Sequence, residues 1–181
     1  KRALKDYKGA IADCTKAIEI DPNNAIIYLS RGASKNLLND YKGAIADFTK
    51  AIDLNPSISI TYVQRGYTKN HLEDYSGALV DYTKTIEIDP DFAEAYESRG
   101  ISKKNLGDLT GACKDAKKAQ ELGADASELI NEVCGKAVEP NDAVAKEGKN
   151  TRVDEQEVPE LGASFYIIII ILLLLGVLVT I

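Results

Sequence analysis

The sequence has no methionine, one histidine and three cysteines in 181 residues. Its histidine, His71, has no cysteine or serine at an informative spacing, so no base–nucleophile pair can be assembled. It reads as a surface residue. Cys14, Cys113 and Cys134 are too few for a disulfide framework and lack metal-ligand spacing. No glycine loop of the kind that cradles phosphate occurs. The chain therefore reads as non-enzymatic, with no cofactor, no metal and no small-molecule substrate.

An excess of basic charge is also lacking. Residues 1–135 carry 18 Lys and Arg against 21 Asp and Glu, and the whole chain has a formal net charge of −6. Nucleic-acid binding needs a basic field, and none is present.

What the chain does have is repetition. The stretch from Asp40 to Pro56 has near copies 34 residues before it, Asp6 to Pro22, and 34 residues after it, Asp74 to Pro90. A fourth, eroded copy starts at Asp108 and fades at Gly123. A fixed period of this size signals stacked units, none able to bury its apolar face alone. Because the chain opens at Lys1 partway through a unit and lacks an initial methionine, it reads as a fragment whose N-terminal part lies upstream.

Each unit reads as two helices. In 25–38, Tyr28, Gly32 and Lys35 share one side, and in 41–54, Ala44, Phe48, Ala51 and Ile52 form an apolar stripe. Asn39-Asp40 supplies the turn, and Pro56 stops the second helix by its missing donor and its effect on Asn55. The same reasoning pairs 59–72 with 75–88 and 93–106 with 109–122, after a lone helix at 7–20. Gly32, Gly66 and Gly100 recur in the first helices, and Ala10, Ala44, Ala78 and Ala112 in the second. Glycine inside a helix costs about 1 kcal/mol against alanine, so its recurrence predicts close approach, glycine facing alanine.

Arg31, Arg65 and Arg99 recur one turn before Lys35, Lys69 and Lys103, and Asp13, Asp47, Asp81 and Asp115 recur on the second helices. The bases are expected to bridge to the acids of a neighbouring helix; the rival reading is a basic stripe for an acidic partner. Cys14 stands where Phe48 and Tyr82 stand, which marks it as core. Cys113 and Cys134 read as two buried thiols. The alternative, a disulfide, requires an oxidising compartment.

These residues resemble tetratricopeptide repeats. Counted from Ala25, the aromatic, Gly, Ala, aromatic, Ala and Pro of that family's pattern fall on Tyr28, Gly32, Ala44, Phe48, Ala51 and Pro56. The next unit supplies Tyr62, Gly66, Ala78, Tyr82, Thr85 and Pro90, and the last supplies Tyr96, Gly100, Ala112, Ala116 and Ala119. The resemblance covers residues 1–123. It implies an all-α superhelical solenoid of antiparallel helix pairs: a partial unit at 1–22, units at 25–58 and 59–92, and a degenerate last unit at 93–123. A stripe of Leu129, Ile130, Val133 and Cys134 predicts a capping helix over 124–135, with Gly135 as its stop.

The resemblance also implies where a partner would sit. First helices line a concave groove, and the units differ from one another along one face of that helix. From Ala25 this face carries Ile26, Leu29, Ala33 and Asn36; from Ser59, Ile60, Val63, Tyr67 and Asn70; from Ala93, Glu94, Glu97, Ile101 and Lys104. Ile60, Val63 and Tyr67 are apolar where packing does not demand it, and Glu94 and Glu97 add an acidic end. The expected occupant is a protein or peptide segment, extended or helical, apolar with a basic end. The bland alternative is that upstream repeats cover this surface. Chaperone adaptors of the family grip a C-terminal carboxylate with basic and amide groups. At those positions this chain has Leu29, Ala33, Gln64, Glu94 and Ser98, so that clamp is absent.

Past the repeats the composition changes. Residues 136–160 are charged and small, with Pro140 and Pro159, and read as a disordered linker. Residues 161–181 carry no charge. As a helix they would extend about 31 Å, enough to cross the hydrocarbon core of a bilayer. The reading is a single-pass transmembrane helix in a lipid bilayer. Lys146, Lys149 and Arg152 lean the array towards the cytoplasmic side. Two roles fit: an interaction scaffold held at a membrane, or a subunit or assembly factor of a membrane protein complex.

Overall fold

The computed structural model describes residues 6–135. The expected linker at 136–160, the expected span at 161–181 and the first five residues of the partial unit lie outside them. Eight helices follow in order: α1 (Tyr7–Ile20), α2 (Ala25–Leu37), α3 (Tyr41–Leu54), α4 (Ser59–His71), α5 (Tyr75–Ile88), α6 (Ala93–Asn105), α7 (Leu109–Glu121) and α8 (Ser127–Val133). Among the described residues there is no strand and no helix long and apolar enough to cross a membrane.

Local chemistry sets the boundaries. Asp6, Asp40, Asp74 and Asp108 cap α1, α3, α5 and α7, each accepting a hydrogen bond from the backbone N–H three residues on, at 2.8 to 3.0 Å. The helices α1, α3 and α5 end one residue short of Asp21-Pro22, Asn55-Pro56 and Asp89-Pro90, where proline forbids continuation. The turn after each first helix needs a left-handed residue, filled by Asn39 (φ 62°), Glu73 (φ 59°) and Gly107 (φ 86°).

Helices pack in sequence, α2 on α3, α4 on α5 and α6 on α7, and each pair packs on the next. The first helices also touch one another, α2 with α4 and α4 with α6, whereas α3 and α5 do not. One layer is therefore closed up and the other splayed, which bends the array with α2, α4 and α6 on the inside. The core runs between the layers through Ala44, Phe48, Ala78, Tyr82, Ala112 and Ala116, all fully buried.

The glycine contacts correct the sequence reading in two of the three pairs; at Gly100 a Cβ would stand 3.3 Å from the Ala112 carbonyl, as expected. A Cβ on Gly32 would come within 2.7 Å of the Phe48 ring, and one on Gly66 within 2.9 Å of Tyr82. These glycines admit the aromatic of the paired helix rather than an alanine. In the last pair Ala116 replaces that aromatic. Leu129 of α8 occupies the space instead, 3.1 Å from where a Gly100 Cβ would stand.

Two cysteine expectations change as well. Cys14 is only half-buried, because α1 packs on α2 alone among the described residues and has no buried residue of its own. Cys113 and Cys134 are joined in a disulfide, not left as separate thiols, since the α7–α8 turn folds the cap back along α7. The cap is also shorter than expected, ending at Val133 with Cys134 as its C-cap.

Candidate functional site

The recurrent bases are structural. Arg31 spans the Asp47 carboxylate with Nε and Nη2 at 2.9 and 2.7 Å, and Lys35 reaches the same acid at 2.7 Å. Arg65 and Lys69 repeat this on Asp81, and Arg99 and Lys103 on Asp115. Hydrogen bonds donated to Asp47 and Asp115 hold the Arg31 and Arg99 guanidinium groups above their ordinary value. Each arginine lies over a tyrosine of its own helix, 5.5 to 5.9 Å from the ring centre at Tyr96, Tyr28 and Tyr62. Each also donates to a threonine of the preceding second helix: Arg31 to Thr15, Arg65 to Thr49 and Arg99 to Thr83. No free basic stripe results, because these cations are spent on the joints between helices.

What remains open is the inner face. Leu29, Ala33 and Asn36 of α2, Ile60, Val63 and Tyr67 of α4, and Glu94, Glu97 and Ile101 of α6 line one cavity of about 800 Å³. Three residues expected with them stand apart. Ile26 lies exposed outside the cavity. Asn70 is held by two side chains, donating to Tyr82 Oη and accepting from Ser102 Oγ. Lys104 pairs with Glu132 at 2.8 Å. Val63 also departs from the expectation that packing does not need it: it is 8% exposed and forms floor, whereas Ile60 and Tyr67 are 37% and 50% exposed.

Sequence reasoning missed four lining residues, Leu37 and a polar row of Ser30, Gln64 and Ser98. That row sits at one position of successive units, on the turn shared with Leu29, Val63 and Glu97; the 34-residue register contains the signal. Asn36 adds a buried Oδ1 with no hydrogen-bond partner among the described residues. Its counterpart Asn70 lies 2.9 Å from the Ser102 hydroxyl, which also faces the Ser98 carbonyl; at Asn36 the corresponding residue is Thr68, whose hydroxyl faces the Gln64 carbonyl alone.

Tyr67 is held by an aromatic relay. Its ring meets His71 edge-on at 4.8 Å, and His71 stacks on Tyr41 of α3 at 5.2 Å with planes 6° apart. The exposed histidine therefore props a groove side chain. At the other rim, partial burial first and the charges of Glu94 and Asp125 next raise the Glu97 carboxyl above its ordinary value.

Comparison with known proteins agrees with this architecture. The tetratricopeptide-repeat family model matches residues 1–24 and 25–58. The structure is similar to the crystal structure of MamA protein, at 27% identity and a TM-score of 0.63 over 69% of this chain and 68% of that one. It is also similar to the first tetratricopeptide domain of Spaghetti (RPAP3) bound to the HSP90 peptide SRMEEVD, at 22% identity and a TM-score of 0.61, over 64% of this chain and 94% of that one. The TPR2B domain of yeast Sti1 in complex with an Hsp70 peptide gives 20% identity and a TM-score of 0.60, over 62% and 97%. The last two show the fold alone. No curated protein sequence matches the chain. Residues 1–58 match the tetratricopeptide-repeat model, and the helices after them continue the same pairing.

Proposed function

We propose that this chain of tetratricopeptide repeats is a non-catalytic scaffold that holds a partner peptide or helix in the groove of α2, α4 and α6, and that residues 161–181 fix it in a membrane. The observation that carries the reading is the cavity itself. Side chains from three successive units converge on it, and Ile60 and Tyr67 stay exposed there with no role in the core. The ligands of similar folds do not transfer. The peptide SRMEEVD is acidic towards its C-terminus, whereas this groove presents Glu94 and Glu97 and lacks basic clamp residues.

For the tether, the uncharged composition of 161–181 is the support. Two features pull its orientation in opposite directions. Lys146, Lys149 and Arg152 favour a cytoplasmic array, and the Cys113–Cys134 disulfide favours an oxidising compartment. Digestion of the array by protease added outside intact cells would place it there, and protection would place it inside.

The test of the scaffold is Tyr67→Glu in the full chain. It is expected to keep the circular dichroism of the parent and to lose partners that the parent captures. Full retention of those partners would overturn the groove reading. Replacing 161–181 with an unrelated anchor is expected to preserve function; loss would favour a span that packs within a membrane complex.

A further inference from the structure

The groove's chemistry specifies its occupant more narrowly, on the reading above that this surface binds a partner. Along its floor Ser30, Gln64 and Ser98 succeed one another from α2 to α6; the Ser30 hydroxyl donates to the Ile26 carbonyl and keeps its oxygen as an acceptor, and the Gln64 amide carries both donor and acceptor. A helix satisfies its own backbone N–H and C=O groups and gains little from such a row. An extended chain arrives with those groups free and needs partners for them. The polar floor therefore fits an extended backbone.

Charge gives the direction. Each framework acid, Asp47, Asp81 and Asp115, holds one arginine and one lysine. Glu94 and Glu97 form no ion pair among the described residues, and Lys104 of the same helix is engaged by Glu132. Leu29, Ile60 and Val63 give the α2 and α4 part of the cavity its aliphatic contacts, beside the polar row of Ser30 and Gln64. Helix axes packed 8–10 Å apart place α6 roughly 16–20 Å from α2, which about six extended residues at ~3.3 Å each would bridge.

We propose that the groove takes an extended segment of about six residues, with aliphatic side chains over α2 and α4 and a lysine or arginine over Glu94 and Glu97 of α6. Burial of such a cation beside Glu97 would offset the repulsion it feels from Glu94 and Asp125.

The experiment screens the full chain, in detergent micelles, against an array of end-blocked hexapeptides scanned at each position. Binders are expected to carry aliphatic residues at two alternate positions followed by lysine or arginine. Exchanging that cation for glutamate should weaken binding roughly tenfold. The double change Glu94→Gln and Glu97→Gln should bring the lysine-to-glutamate ratio close to one, as should high salt in the parent. Equal binding of the two peptides by the parent chain would overturn the proposal, as would tighter binding of a stapled helix of the same composition. If Tyr67→Glu blocks binding while no cation preference exists, this inference fails and the groove reading survives. If every peptide binds Tyr67→Glu as well as the parent, the groove reading fails. An array with no binder overturns both.

Discussion

The guanidinium of Arg65 meets the carboxylate of Asp81 through two nitrogens, Nη2 at 2.7 Å and Nε at 3.1 Å. The acid is nearly inaccessible, with its side chain 1% exposed, and Lys69 adds a third bond at 2.8 Å. Removing the acid as Asp81→Ala strands two cations at a helix joint and should cost about 3 kcal/mol of stability. Urea denaturation followed by circular dichroism measures it. Charge reversal, Arg65→Glu, should lower the melting temperature as well. Unchanged melting with lost partner binding would return these bases to a binding role. Lys84→Ala, which breaks an exposed pair with Glu87, is the control and should leave melting unchanged.

Glu73 occupies a left-handed backbone position that Asn39 and Gly107 fill in the neighbouring units. A side chain there is strained where glycine is not. Glu73→Gly is expected to stabilise the chain by about 1 kcal/mol, and Gly107→Ala to destabilise it by a similar amount. A loss of stability in Glu73→Gly would contradict this account of the turn.

Phe48 and Tyr82 are counterparts, but only Tyr82 has a hydroxyl, and Asn70 Nδ2 donates to it at 3.2 Å. Tyr82→Phe should cost about 1 kcal/mol by stranding that amide. Phe48→Tyr should place a hydroxyl at Asn36 Nδ2, as Tyr82 does at Asn70 Nδ2, and should add about 0.5–1 kcal/mol. The pair of melting curves checks both signs.

Glu97 gives a pH dependence of defined sign. Its folded carboxyl is raised by partial burial and by Glu94 and Asp125, so the native state binds its proton more tightly than the unfolded chain does. The stability from this group is present below the ordinary carboxylate range and is lost as pH rises through the raised value. Glu97→Gln should therefore be more stable than the parent at neutral pH. The two melting temperatures should converge as the solution is acidified. A wider gap at low pH would refute the assignment.

Much of this was legible because the chain repeats. The helix ends follow from Pro22, Pro56 and Pro90, and the Arg31–Asp47 and Lys35–Asp47 contacts from the 34-residue register, since one helical turn separates the bases. The backward bond from Arg65 to Thr49 was not legible, because it depends on the angle between successive pairs. The Cys113–Cys134 link was legible only as an alternative, since it joins residues 21 apart and depends on how sharply α8 turns back. In the groove, Gln64 and Ser98 register in the sequence only as an absent carboxylate clamp, and Ser30 escaped notice because a comparison of units favours positions that vary. Val63 looked dispensable to packing by type, and its burial follows from the approach of α2 and α6 on either side of α4.

The link from each arginine back to Thr15, Thr49 or Thr83 has a consequence for how such a chain can change over generations. Every joint is written in the same 34-residue frame, so excising residues 59–92 would bring Arg99 against Thr49 instead of Thr83. Ser102 would then meet Asn36 in place of Asn70, giving that orphan acceptor its donor. Recombination between copies could thus lengthen or shorten the groove by whole units while leaving each new joint chemically equivalent to the old.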